Sequence, residues 1–89
     1  MIEERIKIIN RLGLHARAAA KFVKLANRFE SSVKIEKDGV SIDGKSILGI
    51  LTLAAVQGSM ITLRTSGKDE NPAMKAWVAL IENKFDEEE

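Results

Sequence analysis

The chain has 89 residues, 45% of them hydrophobic and 30% charged, with a net charge of +1. That size suits one small domain with a core of its own. Cysteine is absent and histidine occurs once, which excludes a disulfide framework and leaves a zinc site without its usual ligands, so neither metal nor cofactor is expected.

Residues 2–9 contain the alternation Arg5-Ile6-Lys7-Ile8 and read as a half-buried strand. Glu3, Glu4 and Arg5 interrupt any apolar run there, so no signal peptide is read. Residues 10–13 break the strand. From Ala16 the period becomes helical: Ala19, Phe22, Val23, Ala26 and Phe29 lie on one side, and Arg17, Lys21, Lys24 and Arg28 on the other. Ser31-Ser32 ends that segment. Val33 to Lys37 alternates again, and Asp38-Gly39 joins it to a second alternating run, residues 40–43. Asp-Gly between two such runs predicts a hairpin, because its tight turn needs positive φ.

Residues 46–54 read as a short helix capped by Ser46. Ile50 and Leu53 fit its buried face; Ile47, Leu48 and Leu51 fall on another. The apolar stretch 47–56 is too short to cross a membrane and contains Gly49 and Thr52. Residues 60–65 form the fourth strand. A last helix is predicted from about Glu70 to Phe85, with Pro72 acceptable in its first turn and Met74, Trp77, Val78, Ile81 and Phe85 as its stripe. The order is β-α-β-β-α-β-α, an α+β domain with helices over one sheet face. Ile6, Ile8, Ile35, Ile42, Leu63, Phe22, Leu53 and Ile81 are its candidate core.

Charge is unevenly spread. Arg5, Lys7, Arg11, Arg17, Lys21, Lys24 and Arg28 load the first third, and the acidic tail 86–89 is expected to fray. The basic cluster suits an acidic partner or a phosphate. Three Phe, one Trp and no Tyr supply a base-stacking platform poorly, so nucleic acid is not the expected partner. A cytoplasmic protein without membrane insertion is expected.

Residues 39–46 match the phosphate-loop pattern G-x-x-x-x-G-K-S at every fixed position. The mechanism needs a flexible loop between a buried strand and a helix. Here Val40 to Asp43 alternates as a strand after a hairpin turn, and an extended strand cannot curl its amides around a phosphate. The match is set aside.

His15 is more informative. It stands immediately before an alanine-rich helix, where unpaired N–H groups and the helix dipole accept phosphate. A neutral imidazole there has a ring nitrogen with a free lone pair, a nucleophile. The N–H groups of Ala16, Arg17 and Ala18 face such a phosphate, Arg17 supplies counter-charge, and Gly13 lets the loop fold back closely.

Gly13-Leu14-His15-Ala16-Arg17, the βαββαβα order and Gly44-Lys45-Ser46-Ile47-Leu48-Gly49 together resemble the histidine phosphocarrier family, HPr, of the bacterial phosphotransferase system. The resemblance spans essentially the whole chain, 1–89, as a single domain. It implies an open-faced β-sandwich, a four-stranded antiparallel sheet with three helices on one face. It implies that phospho-enzyme I passes its phosphoryl group to Nδ1 of His15, with Arg17 as charge partner, and that an enzyme IIA-type domain receives it. Such a protein is a carrier rather than an enzyme. Ile47, Leu48 and Leu51 would form a docking patch, with Ala16, Arg17, Ala20 and Lys24 as its small and basic part. Ser46 resembles the serine phosphorylated by an HPr kinase/phosphorylase in some members; phosphate there would put negative charge into the docking surface. The alternative is a regulatory phosphoprotein acting through Ser46, or a nitrogen-type regulatory phosphorelay. Where most members have proline after the arginine this chain has Ala18, which restores a backbone donor and retunes the site. A monomer is expected.

Overall fold

A computed structural model describes residues 1–86. Its strands are β1 (Ile2–Lys7), β2 (Ser32–Lys37), β3 (Val40–Asp43) and β4 (Met60–Ser66), and its helices α1 (Ala16–Ala26), α2 (Ile47–Leu53) and α3 (Glu70–Glu82). The strands form one antiparallel sheet in the order β1-β4-β2-β3, with the helices on one face. Asp38 and Gly39 join β2 to β3 with φ of 51° and 83°, the left-handed pair a two-residue hairpin requires.

Register sorts the side chains into two faces. Ile61 and Leu63 of β4, Val33 and Ile35 of β2, and Ile8 just beyond β1 are buried under the helices. The other face carries Glu3, Arg64, Lys34 and Asp43 in one row across all four strands. Arg64 there bonds Glu3 at 2.8 Å and also bonds Glu36. This charged face stays in water, which is why the sandwich is open. Ile6 and Ile42, expected in the core, are only half-buried: they lie on the edge strands β1 and β3, where the covering helices thin out.

Helix α1 packs Ala18, Ala19, Phe22 and Ala26 inward. Phe22 stacks on Trp77 of α3 at 5.3 Å, and the Trp77 indole N–H donates to the Phe22 carbonyl. Helix α3 stops at Glu82, three residues short of the end read from its stripe. Lys84, Phe85 and Asp86 turn through left-handed backbone with φ of 55°, 54° and 60°. That turn still buries Phe85 completely, and the Lys21 ammonium donates to its carbonyl. Burial of the aromatic ring and an ammonium on the backbone offset the unfavourable dihedrals. Of the acidic tail, Asp86 is bonded to Asn83 rather than frayed, and residues 87–89 lie outside the described residues.

Two loops are clamped by one carboxylate. Asp69 accepts from the N–H groups of Glu30 and Ser31, each at 2.9 Å, and from the Ser31 hydroxyl. Ser31 first, then Glu30, holds the Asp69 carboxyl below the usual carboxylate range. The folded state thus binds that proton less tightly than the unfolded chain. The clamp's contribution is complete above the ordinary pKa of about 3.9 and is lost as pH falls through the lower folded value. Melting temperatures of the wild type and Asp69→Asn, measured from neutral to strongly acid pH, will differ most near pH 7 and converge on acidification.

A Cβ on Gly44 would lie 2.7 Å from Val33 Cγ1 and 3.0 Å from Phe22 Cε1, inside the core. Gly44→Ala will therefore lose about 1–3 kcal/mol of stability by overpacking, read as a lower urea midpoint with an unchanged slope.

Candidate functional site

The site starts at a turn. The Gly13 N–H donates to the Asn10 carbonyl at 3.1 Å, and the Asn10 side-chain amide donates back to the Gly13 carbonyl at 2.8 Å. Asn at the first position and Gly at the fourth is a common signature of such a turn. Gly13 has φ of 66° and lies against the segment that follows α2. A Cβ there would be 2.4 Å from the Ala55 carbonyl oxygen. Leu14 is buried, and its N–H donates to that same carbonyl at 2.8 Å. The start of α1 and the end of α2 are thereby fixed side by side.

His15 is the N-cap of α1. Its backbone is extended, its carbonyl accepts from the Ala19 N–H at 2.8 Å, and its Nδ1 accepts from the Arg17 N–H at 3.3 Å. A side chain accepting from the second residue of a helix is the ordinary capping geometry, here performed by an imidazole. The bond turns Nδ1 and its lone pair toward the helix N-terminus, so in the neutral ring Nε2 carries the proton. The ring is half-buried, and Ala16, Arg17 and Ala20 are exposed around it. Ala18 points inward and is fully buried, so only its backbone is available to the site. Lys24 is exposed two turns along the helix.

Helix α2 presents the second half of the surface. Ile50 and Leu53 are buried, while Ile47 is 42% exposed, Leu48 76% and Leu51 36%. Those three do not serve the core. Ser46 caps the helix, its hydroxyl accepting from the Gly49 N–H at 3.0 Å. Ser46 and His15 thus occupy equivalent capping positions on two neighbouring helices, which the sequence spacing alone does not reveal.

The phosphate-loop match dissolves in the structure. Val40 to Asp43 is strand β3. The Gly44 N–H is bound by the Val33 carbonyl, that of Lys45 by the Asp43 carboxylate and that of Ser46 by the Asp43 carbonyl. The Lys45 ammonium donates to the Phe29 carbonyl at 3.1 Å, just past the end of α1. Amides and lysine alike are engaged within the fold. Among the described residues no group of three or more His, Cys, Asp and Glu is placed to hold a metal, and no helix is long and apolar enough to cross a membrane.

Asn10 and Ala55 support the site without having been named as site residues from sequence. Asn10 was legible as the first residue of an Asn-x-x-Gly turn. Nothing local marks Ala55, whose part is played by its carbonyl.

Comparison with known proteins agrees with this geometry. The family model described as the PTS HPr component phosphorylation site matches residues 2–83. The phosphocarrier protein HPr of Cupriavidus necator is 52% identical over the full length of both chains. The crystal structure of HPr-C-His from Thermoanaerobacter tengcongensis, 48% identical, superposes with a TM-score of 0.96 over 100% of both chains. An HPr dimer from the same organism, also 48% identical, superposes at 0.78 over 98% of this chain and 100% of that one. The fold thus occurs in dimeric form too, and likeness alone does not establish the expected monomer. A half-buried histidine capping a helix beside a capped apolar helix, on a chain matched from end to end by such relatives, has one reading: the chain belongs to the HPr family of phosphocarrier proteins of the phosphotransferase system.

Proposed function

We propose that His15 is the residue that carries the phosphoryl group, received from phospho-enzyme I and passed to an enzyme IIA-type domain. The observation that carries this reading is the Nδ1 of His15 facing the Arg17 N–H at 3.3 Å. The Nδ1 lone pair attacks phosphorus as the bond to the donor breaks, and the electron pair of that bond leaves with the donor. The new phosphoryl oxygens then lie where Nδ1 now points, at the N–H groups of Ala16, Arg17 and Ala18 in the first turn, which have no intrahelical acceptor. Arg17 is exposed and adjacent, so its guanidinium serves as counter-charge in the loaded state.

The acceptor is only half-buried. That suits a carrier, which supplies the nucleophile and relies on its partners for the remaining machinery. Ile47, Leu48 and Leu51, with Ala16, Arg17, Ala20 and Lys24, form the docking surface. The chain works as one domain, as a monomer and in the cytoplasm, since a shuttle must leave each soluble partner quickly. Phosphorylation of Ser46 by an HPr kinase/phosphorylase regulates it. The Ser46 hydroxyl already accepts from the Gly49 N–H in the first turn of α2. A phosphate there is tolerated by the helix while it repels an acidic partner from the surface.

The deciding experiment is intact mass after incubation with enzyme I and phosphoenolpyruvate. The wild type and Ser46→Ala will each gain a single acid-labile phosphoryl group; His15→Ala will gain none. An unmodified wild type, or an acid-stable adduct, would sink the reading.

Ala18 makes a second prediction. Its N–H is one more donor to the phosphoryl oxygens, worth a hydrogen bond of about 0.5–1.5 kcal/mol. Hydrolysis of the isolated phosphoprotein will be about two- to tenfold faster in Ala18→Pro. Equal rates would remove Ala18 from the site.

A further inference from the structure

Strand β1 is one edge of the sheet, and among the described residues its outer side has no strand against it. Ile8 directs its backbone toward β4: its N–H donates to the Ser59 carbonyl at 2.8 Å, and its carbonyl accepts from the Gly58 N–H at 2.7 Å. Antiparallel pairing alternates along a strand. Ile2, Glu4 and Ile6 therefore also bond inward, and the N–H and carbonyl groups of Glu3, Arg5 and Lys7 face out along the free edge. The side chains of Arg5 and Lys7 lie on the open face with Glu3. Opposite them on β4 stand Thr62 and Met60, neither of them acidic. Among the described residues neither cation has a carboxylate partner, whereas Arg64 on the same face holds both Glu3 and Glu36. Ile6 faces the helix side, beside a groove of about 550 Å³ between β1 and α3. Ile9, Met74, Val78 and Ala79 complete its apolar lining, and Ile6, Ile9 and Val78 are only half-buried. None of these side chains belongs to the surface around His15.

We infer that this edge is a second interaction surface, which takes an extended segment of a protein partner as an added strand. Such a strand pairs its backbone with Glu3, Arg5 and Lys7. Alternation then fixes the chemistry of its side chains. The residue opposite Ile6 enters the groove and is apolar. The residues opposite Arg5 and Lys7 stand on the open face beside two cations and are acidic. Basic residues on an edge deter indiscriminate pairing, so acidic-apolar-acidic is the pattern this edge admits. A second copy of the chain does not supply it. Pairing β1 with itself about a two-fold axis centred on Glu4, Arg5 or Ile6 sets like charges face to face: Glu4 on Glu4, Arg5 on Arg5, or Arg5 on Lys7. The inference stands apart from the assignment of His15, which lines no part of this groove.

The test is an NMR titration of the full chain with a peptide of sequence Glu-Val-Glu-Thr-Lys, capped at both ends. Its two Glu fall opposite Lys7 and Arg5 and its Val opposite Ile6. Binding will slow hydrogen exchange at the Glu3, Arg5 and Lys7 amides and shift the Val78 methyl signals. The charge-inverted peptide Lys-Val-Lys-Thr-Glu, and the first peptide N-methylated at both Glu, will each bind about tenfold more weakly or worse. Arg5→Glu/Lys7→Glu, shown to be folded by a urea melt followed by Trp77 fluorescence, will prefer the inverted peptide. Unchanged exchange at the three amides in millimolar peptide would overturn the added strand. Equal affinity for the two peptides in the wild type would overturn the acidic pattern. Slowed exchange at the same amides on raising protein concentration alone would make a second copy the occupant and overturn the partner inferred here.

Discussion

The site depends on one backbone contact that no side chain could share. Gly13 meets the carbonyl of Ala55 so closely that a Cβ would stand 2.4 Å from it. That approach seats Leu14 in the core, starts α1 at His15 and brings the end of α2 beside it. Ala54 takes the left-handed conformation on the other side of the contact, φ 51°, without being glycine. Left-handed backbone disfavours alanine by about 1–2 kcal/mol, and the burial of Leu53 and Ala55 on either side offsets it. The strain is local and so is its use: it turns the chain at the point where the start of α1 meets the end of α2.

The basic side chains divide into two groups once the partners of Lys21 and Lys45 are known. Lys21 donates to Phe85 and is spent on holding the chain's last turn against α1. Lys45, which the phosphate-loop pattern would have aimed at a nucleotide, donates to Phe29 past the end of the same helix. Both satisfy carbonyls that would otherwise face away from any donor. Arg17 and Lys24 are left exposed on the face of α1 that begins with His15. A cationic stripe that looked uniform in sequence is thus part framework and part surface, and the surface part is the one beside the histidine.

Much of this was legible beforehand because the signals are local. The Asp38-Gly39 hairpin, the Ser46 cap and the change of period at Ala16 are each fixed by a few neighbouring residues, and each stands where it was read. The family resemblance rested on those same short motifs. The end of α3 was misread because Phe85 continues the helical stripe in register, and periodicity cannot distinguish a buried ring at the end of a helix from one delivered by a left-handed turn. Ile6 and Ile42 were overrated because alternation reports which face a residue occupies, while strand order decides how much covers that face.

Helix α2 is a weak helix by itself. Seven residues with Gly49 in the middle cannot hold helical structure in water. Its order comes from Ile50 and Leu53 in the core and from the Ser46 cap. Three of its remaining side chains are apolar and face solvent, so burial secures one side while the other stays available. The same economy explains the regulatory logic proposed for Ser46. The hydroxyl that organises the first turn of α2 belongs to the element that presents Ile47, Leu48 and Leu51. A phosphate on that hydroxyl would keep a hydrogen-bond acceptor at the helix start while reversing the local charge. The change would fall on partner choice and leave the fold in place.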